Sequence, residues 1–124
     1  MKRVFYYTDV LPLLSKKEVA IKKLKYNLSF FEERKDEVEL YWYPYGFMGE
    51  YLAKNNSPVL EDFFSVLEEY EASGWGRLIF DEDPREMLKE CDAYYGDASE
   101  LAYYAGEDGH PALLIDYDCV GENA

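Results

Sequence analysis

Short runs of β-prone apolar residues alternate along this chain with stretches in which apolar residues recur at helical spacing. The β-prone runs are Val4 to Tyr7, Val38 to Tyr43, Arg77 to Phe80, Ala93 to Tyr95 and Pro111 to Ile115. Runs with apolar residues on both faces are typical of strands that helices cover on both sides. Such alternation predicts a parallel sheet with crossover helices. We therefore expect an α/β fold: a single three-layer α/β/α, Rossmann-like, doubly wound domain with about five parallel strands.

The length of 124 residues suits one domain. We expect that domain to span residues 1–120, with residues 121–124 as a frayed C-terminal tail. Capping-box patterns predict where helices begin. They are Ser15-x-x-Glu18, Asp83 with Glu86, and Asp97-x-x-Glu100. The last pattern predicts Asp97 as the N-cap, and Glu100 as the third residue, of the helix that follows the fourth strand.

Charge and hydropathy narrow the classes of partner. The chain carries 26 acidic and 13 basic residues, a net charge of −13, so it repels phosphate backbones and anionic membranes. The lysines between Lys16 and Lys25 predict a solvated helix face. No apolar run approaches a membrane span, and Met1-Lys2-Arg3 does not lead into a secretory segment. We expect no nucleic-acid partner, no membrane insertion and a cytoplasmic location, with Cys91 and Cys119 as core residues.

Ligands of open parallel sheets bind beyond the carboxyl ends of the strands. Here those positions are rich in acids, namely Asp9, Asp81, Asp97, Asp116 and Asp118. Carboxylates are ligands for hard divalent cations, so Asp9, Asp81 and Asp97 are weak candidates for a metal site. The competing interpretation is that acids at these positions cap helices. No glycine-rich phosphate motif is present, so we predict no cofactor; a nucleotide or Mg²⁺ has no motif to support it.

Four stretches carry a similarity to a bacterial enzyme family. They are LYWYPYG at 40–46, GWGRLIFDED at 74–83, CDAYYGDASEL at 91–101 and GHPALLI at 109–115. From Lys2 to about Asp118 the chain resembles the C-terminal, donor-binding half of GT-B-type transferases, the CDP-glycerol glycerophosphotransferase-like group and related polysaccharide biosynthesis proteins. The DAYYGD stretch is the most specific of the four. The resemblance implies the fold, and it implies a nucleotide-activated sugar or glycerol as the ancestral ligand.

The departures from that family concern its functional positions. Tyr43 and Tyr45 stand where the family has Arg and His, so a cation for phosphate and an imidazole for acid–base chemistry are both replaced. Ala98, Ser99 and Glu100 stand where the family has hydroxyls after Gly-Asp. The helix N-terminus there would receive donor phosphates, and the charge of Glu100 weakens that binding. The second domain that the family needs for transfer is not encoded in these residues, and we assign no catalytic residue.

The leading prediction is therefore a stand-alone, catalytically inactive relative of a donor-binding domain that acts as a binding or protein-interaction module. Its candidate ligand-binding residues are Tyr43, Tyr45, Gly96, Asp97, Ser99 and Glu100, while Tyr94 and Tyr95 either line the same crevice or pack in the core. Two alternatives stay open: half of a split transferase that needs a partner chain, and an acidic crevice that binds a divalent cation. A homo-oligomer that uses an apolar patch at Phe47, Met48 and Tyr51 is a further prediction.

Overall fold

The computed structural model of the chain describes residues 1–115. Within them lie five strands and six helices. In chain order these are β1 (Lys2–Thr8), α1 (Val10–Lys16), α2 (Glu18–Glu32), β2 (Val38–Pro44), α3 (Met48–Lys54), α4 (Leu60–Ser73), β3 (Arg77–Leu78), α5 (Pro84–Lys89), β4 (Ala93–Gly96), α6 (Glu100–Glu107) and β5 (Ala112–Leu114). The predictions for Asp116, Asp118, Cys119 and the tail at 121–124 lie outside the described residues.

The strands form one parallel sheet in the order β3-β2-β1-β4-β5. The chain builds outward from β1 through β2 to β3, then returns to the other side of β1 to add β4 and β5. This confirms the predicted α/β, Rossmann-like fold. The strand order reverses between β1 and β4, which is where open sheets of this kind leave a crevice for ligands.

The core lies on both faces of the sheet. On one face Tyr6, Leu40 and Trp42 pack against α1 to α4, and on the other Phe5 and Tyr94 pack with residues of α5 and α6. Phe5 and Tyr6 are consecutive, so their side chains point to opposite faces, as the pleat of a strand requires. The longest helix, α2, packs on the Tyr6 face through Ile21, Leu24, Leu28 and Phe31, which recur at helical spacing and are all buried.

Two of the helix starts differ between prediction and structure. The Ser15-x-x-Glu18 prediction is wrong, because Ser15 lies inside α1 and its hydroxyl donates to the Leu11 carbonyl (2.9 Å). Lys17, with φ of 49°, separates α1 from α2, and its side chain does not cap α2. The Asp83 prediction is confirmed, since its carboxylate accepts from the Arg85 amide (3.0 Å). The prediction that Asp97 is an N-cap is also wrong, because Ser99 is the N-cap of α6. The position of Asp97 is described with the candidate site.

Candidate functional site

At the switch point β4 approaches β1 closely at Gly96. Its φ is +147°, and a Cβ built on it would lie 2.2 Å from the Tyr7 carbonyl oxygen and 2.8 Å from the Tyr7 nitrogen. No other residue fits, since side chains avoid this backbone conformation and the neighbour is backbone that cannot rotate away. The predicted site residue Gly96 therefore serves to bring the end of β4 against β1, where the Asp97 amide donates to the Tyr7 carbonyl (3.1 Å).

Asp97 occupies the gap that this approach creates. Its side chain is buried, with the residue 5% exposed, and its Oδ2 accepts from the Asp9 amide at 2.7 Å. The carboxylate thus reaches across to the end of β1. A buried carboxylate that accepts from a backbone amide makes a strong, charge-assisted bond. Asp97, directly after β4, is therefore hydrogen-bonded to the residue that follows β1.

Ser99 is the N-cap of α6, two residues later than predicted. Its hydroxyl accepts from the Leu101 amide (3.2 Å) and lies 3.1 Å from the Tyr94 hydroxyl, which also donates to the Asp97 carbonyl. Glu100 is consequently the first residue of α6 and is exposed; the Tyr104 hydroxyl donates to its carboxylate at 3.4 Å. The expectation that Glu100 occupies the third helical position is therefore wrong.

Asp9 caps α1, the other helix that starts at this edge of the sheet. Its Oδ1 accepts from the Val10 amide (2.6 Å) and makes it the N-cap of α1. Burial raises the pKa of the nearby Tyr7 hydroxyl, and the charge of Asp9 raises it further. Burial likewise raises the pKa of Tyr94. The switch point therefore holds two carboxylates and two protonated phenols that are largely buried, an arrangement that disfavours an anion.

The two tyrosines after the second strand have different positions. Tyr43 is half-buried and stacks on Tyr7 with ring centroids 5.7 Å apart, so much of its ring belongs to the core. The Tyr45 amide donates to the Thr8 carbonyl (2.9 Å), and the ring of Tyr45 lies 5.9 Å from those of Phe47 and Tyr51. Tyr45 therefore lies beside the end of β1 and packs its ring against the exposed rings of Phe47 and Tyr51.

The apolar patch predicted at Phe47, Met48 and Tyr51 is exposed only in part. Phe47 and Tyr51 are exposed and line a shallow pocket with Tyr45, Glu50 and Lys54. Met48, the first residue of α3, is buried because its side chain packs in the core. What remains is an aromatic rim of three rings, Tyr45, Phe47 and Tyr51, beside the crevice.

Tyr94 and Tyr95 do not line the crevice with their rings. Tyr94 is buried among residues of α5 and α6, and only its hydroxyl reaches Asp97 and Ser99. Tyr95 points to the other face of the sheet, where its hydroxyl donates to Asn27 (3.0 Å). Consecutive residues of a strand cannot face the same side, which decides between the two interpretations left open for this pair.

Of the three acids proposed as metal ligands, Asp9 and Asp97 lie together at the switch point, whereas Asp81 lies apart from them. Asp81 is exposed after β3 and lies beside Phe64, Phe80 and Glu82, while β2 and β1 stand between β3 and β4. Among residues 1–115 no three His, Cys, Asp or Glu side chains form a group that could hold a metal ion. Cys91 is buried and its pKa is raised to about 12 by burial, so its thiol stays protonated in the core.

Sequence reasoning missed two polar residues in the core, Thr8 and Asn27. Thr8 is buried at the end of β1, and its hydroxyl accepts from the Trp42 indole nitrogen (3.1 Å). Asn27 is buried on α2, donates to the Tyr6 hydroxyl (3.2 Å) and accepts from Tyr95. The available signal was the position of Asn27 within an apolar stripe, because a polar residue there needs partners when buried.

None of the helices formed by residues 1–115 combines the length and apolar character that crossing a membrane requires. Comparison of the chain with protein-family models, with curated proteins and with solved structures found no match. The similarity to transferase donor domains therefore stays a prediction, resting on the four quoted stretches.

Proposed function

We propose that this chain is a non-catalytic binding module that engages a protein partner. The observation that carries the proposal is the placement of Asp97. In parallel sheets of this kind the gap at the switch point is where backbone amides receive a phosphate. Here the Asp97 carboxylate takes the Asp9 amide at 2.7 Å.

A bound phosphate would meet three obstacles at this gap. It would have to displace a charge-assisted hydrogen bond that is worth roughly 1.5–3 kcal/mol. It would lie beside the carboxylates of Asp9 and Asp97. It would also find amides of α1 and α6 already taken by Asp9 and Ser99. These features support a loss of donor-nucleotide binding in the lineage that the resemblance implies.

The exposed surface supports a protein partner in place of a nucleotide. Tyr45, Phe47 and Tyr51 form the aromatic rim described above. Aromatic side chains are enriched at protein interfaces because they bury a large area while fixing few rotatable bonds. A second apolar surface lies between α2 and β5, and it carries the more specific inference below.

A thermal-shift panel tests the proposal against both alternatives. The purified chain is heated with CDP-glycerol, CDP, UDP, UDP-sugars, Mg²⁺ or Ca²⁺, and we expect an unchanged midpoint in every case. A ligand at about 100 times its Kd would add roughly 2.7 kcal/mol, a rise of several degrees.

Two outcomes would overturn the proposal. A nucleotide-specific rise that is lost in Ser99→Ala would support the split-transferase alternative. A cation-specific rise that is lost in Asp9→Asn but kept in Asp81→Asn would support a cation site at the crevice. Asp81 is the matched control because it is an exposed acid distant from the switch point.

A further inference from the structure

A groove of about 500 Å³ opens on the α2 side of β4 and β5. Helices of the α1–α4 layer cover β1 and β2 on this side, and no helix within residues 1–115 fills the space over β4 and β5. The groove is lined on one wall by Lys23, Tyr26 and Phe30 of α2, and on the floor by Tyr95 and Leu113. We call this surface the α2–β5 groove.

The wall formed by α2 belongs to a second stripe, separate from the one that faces the core, in which three apolar residues are joined by the stem of one lysine. Val19, Lys23, Tyr26 and Phe30 follow one another at intervals of four, three and four residues. This is the a/d spacing by which one helix packs on another. Val19, Tyr26 and Phe30 are 42%, 40% and 39% exposed, and Leu113 across the groove is 65% exposed. The stripe is therefore open for a helix to pack along it.

The segment that contributes the α2 wall of the groove carries a charge opposite to that of the rest of the chain. Residues 10–35 contain seven basic and three acidic residues, a net charge of +4, whereas the remaining chain contains six basic and 23 acidic residues. Two of these cations lie over groove rings: the Lys23 ammonium is 5.4 Å from the Tyr26 centroid, and the Arg34 guanidinium is 3.6 Å from that of Phe30. An occupant with acidic residues beside its apolar side chains matches this pattern.

We propose that the α2–β5 groove binds an amphipathic helix of a partner protein whose apolar stripe is flanked by Asp and Glu. The inference rests on the proposed interaction function and names the chemistry of the partner. A second copy of the chain fits less well, because a two-fold contact through α2 would bring two sets of lysines together. A nucleic acid fits less well, because the chain outside this region is strongly acidic.

The first test uses a synthetic helix as the probe. A labelled peptide of three heptads, with Leu at a and d and Glu at e and g, is titrated with the full chain by fluorescence anisotropy. The matched peptide has Lys in place of Glu. We expect the Glu peptide to bind, the Lys peptide to bind roughly tenfold more weakly or worse, and the affinity of the Glu peptide to fall as salt is raised.

Variants of the chain then locate the binding. Phe30→Asp should weaken binding of the Glu peptide roughly tenfold or more, while Tyr103→Asp should leave it unchanged. Tyr103 is the matched control because it is an aromatic residue on α6, 68% exposed and outside the groove. Circular dichroism checks that both variants fold. Lys23→Glu should shift the preference toward the Lys peptide, a readout that a loss of stability cannot imitate.

Three peptide-binding outcomes would each overturn the inference: no binding of the Glu peptide at millimolar concentration, equal binding of both peptides, or full binding by Phe30→Asp. Sedimentation that shows a dimer in the parent chain and a monomer in Phe30→Asp would assign the groove to a second copy, and would also reject the partner helix. If the Glu peptide does not bind and the nucleotides leave the melting midpoint unchanged, only the acidic partner helix is rejected. If a nucleotide raises the melting midpoint, the proposed interaction function itself is rejected.

Discussion

At the scale of single residues, Gly96 and Asp97 hold the switch point together by different means. Gly96 lets β4 approach β1 because it has no Cβ, and Asp97 then binds the Asp9 amide across the gap. The sequence predicted a turn and a helix start here, and both are present. It did not predict the direction of the Asp97 side chain, because the bonded amide is 88 positions away along the chain and a capping pattern reports only local spacing.

A pair of glycine substitutions tests the need for close approach. Gly96→Ala should destabilise the fold by roughly 3 kcal/mol or more, since its Cβ would overlap the Tyr7 carbonyl and its backbone conformation disfavours a side chain. Gly106→Ala, in α6, has nothing within 4 Å and should stabilise by roughly 0.5–1 kcal/mol. Urea unfolding of both variants and the parent chain measures the two changes. Equal stability of the two variants would refute the close-approach account.

At the scale of elements, local periodicity predicted the strands and the long helices, and it missed α1. The run after β1 contains Pro12, and the first helix start was predicted later, at Ser15. In the structure Asp9 caps α1 and Pro12 is the third helical residue, a first-turn position that tolerates proline because its amide has no partner in the helix. The outer stripe of α2 was likewise interpreted as a solvated face, because lysines interrupt its apolar residues. Within residues 1–115 no helix covers β4 and β5 on the α2 side, and this property of the topology is not visible in helical spacing.

The short strand β3 depends on α4 through one hydroxyl. Tyr70 Oη lies 2.9 Å from the Leu40 carbonyl oxygen and 3.0 Å from that of Arg77, so it joins α4 to both β2 and β3. Tyr70→Phe should cost about 1 kcal/mol and should speed amide exchange at Ile79, which donates to the Trp42 carbonyl beside this bond. Tyr103→Phe, at an exposed ring, is the control and should change neither. Unchanged exchange at Ile79 in Tyr70→Phe would show that β3 is held without the hydroxyl.

At the scale of the whole molecule, buried tyrosines on both faces of the sheet form hydrogen bonds through their hydroxyls. Tyr6 and Tyr70 lie on the α1–α4 side, and Tyr94 lies on the opposite side. Each buries its ring while its hydroxyl bonds to Asn27, to strand carbonyls or to Asp97. Such side chains supply apolar area without leaving an unsatisfied polar group. The same burial makes the fold sensitive to ionisation of these phenols.

This sensitivity predicts a loss of stability in alkali. Burial raises the pKa of Tyr6, Tyr7, Tyr70 and Tyr94 above the ordinary value of 10.0, so the folded state holds protons that the unfolded state releases. Their contribution is therefore fully present below pH 10 and is lost as the pH rises above it. The free energy of unfolding in urea, measured from neutral pH to about pH 11, should fall steeply beyond pH 10. Tyr94→Phe removes one of these phenols and should make that fall shallower. If tyrosinate absorbance instead showed all phenols ionising reversibly while the fold persisted, the buried hydroxyls would not be what couples the fold to pH.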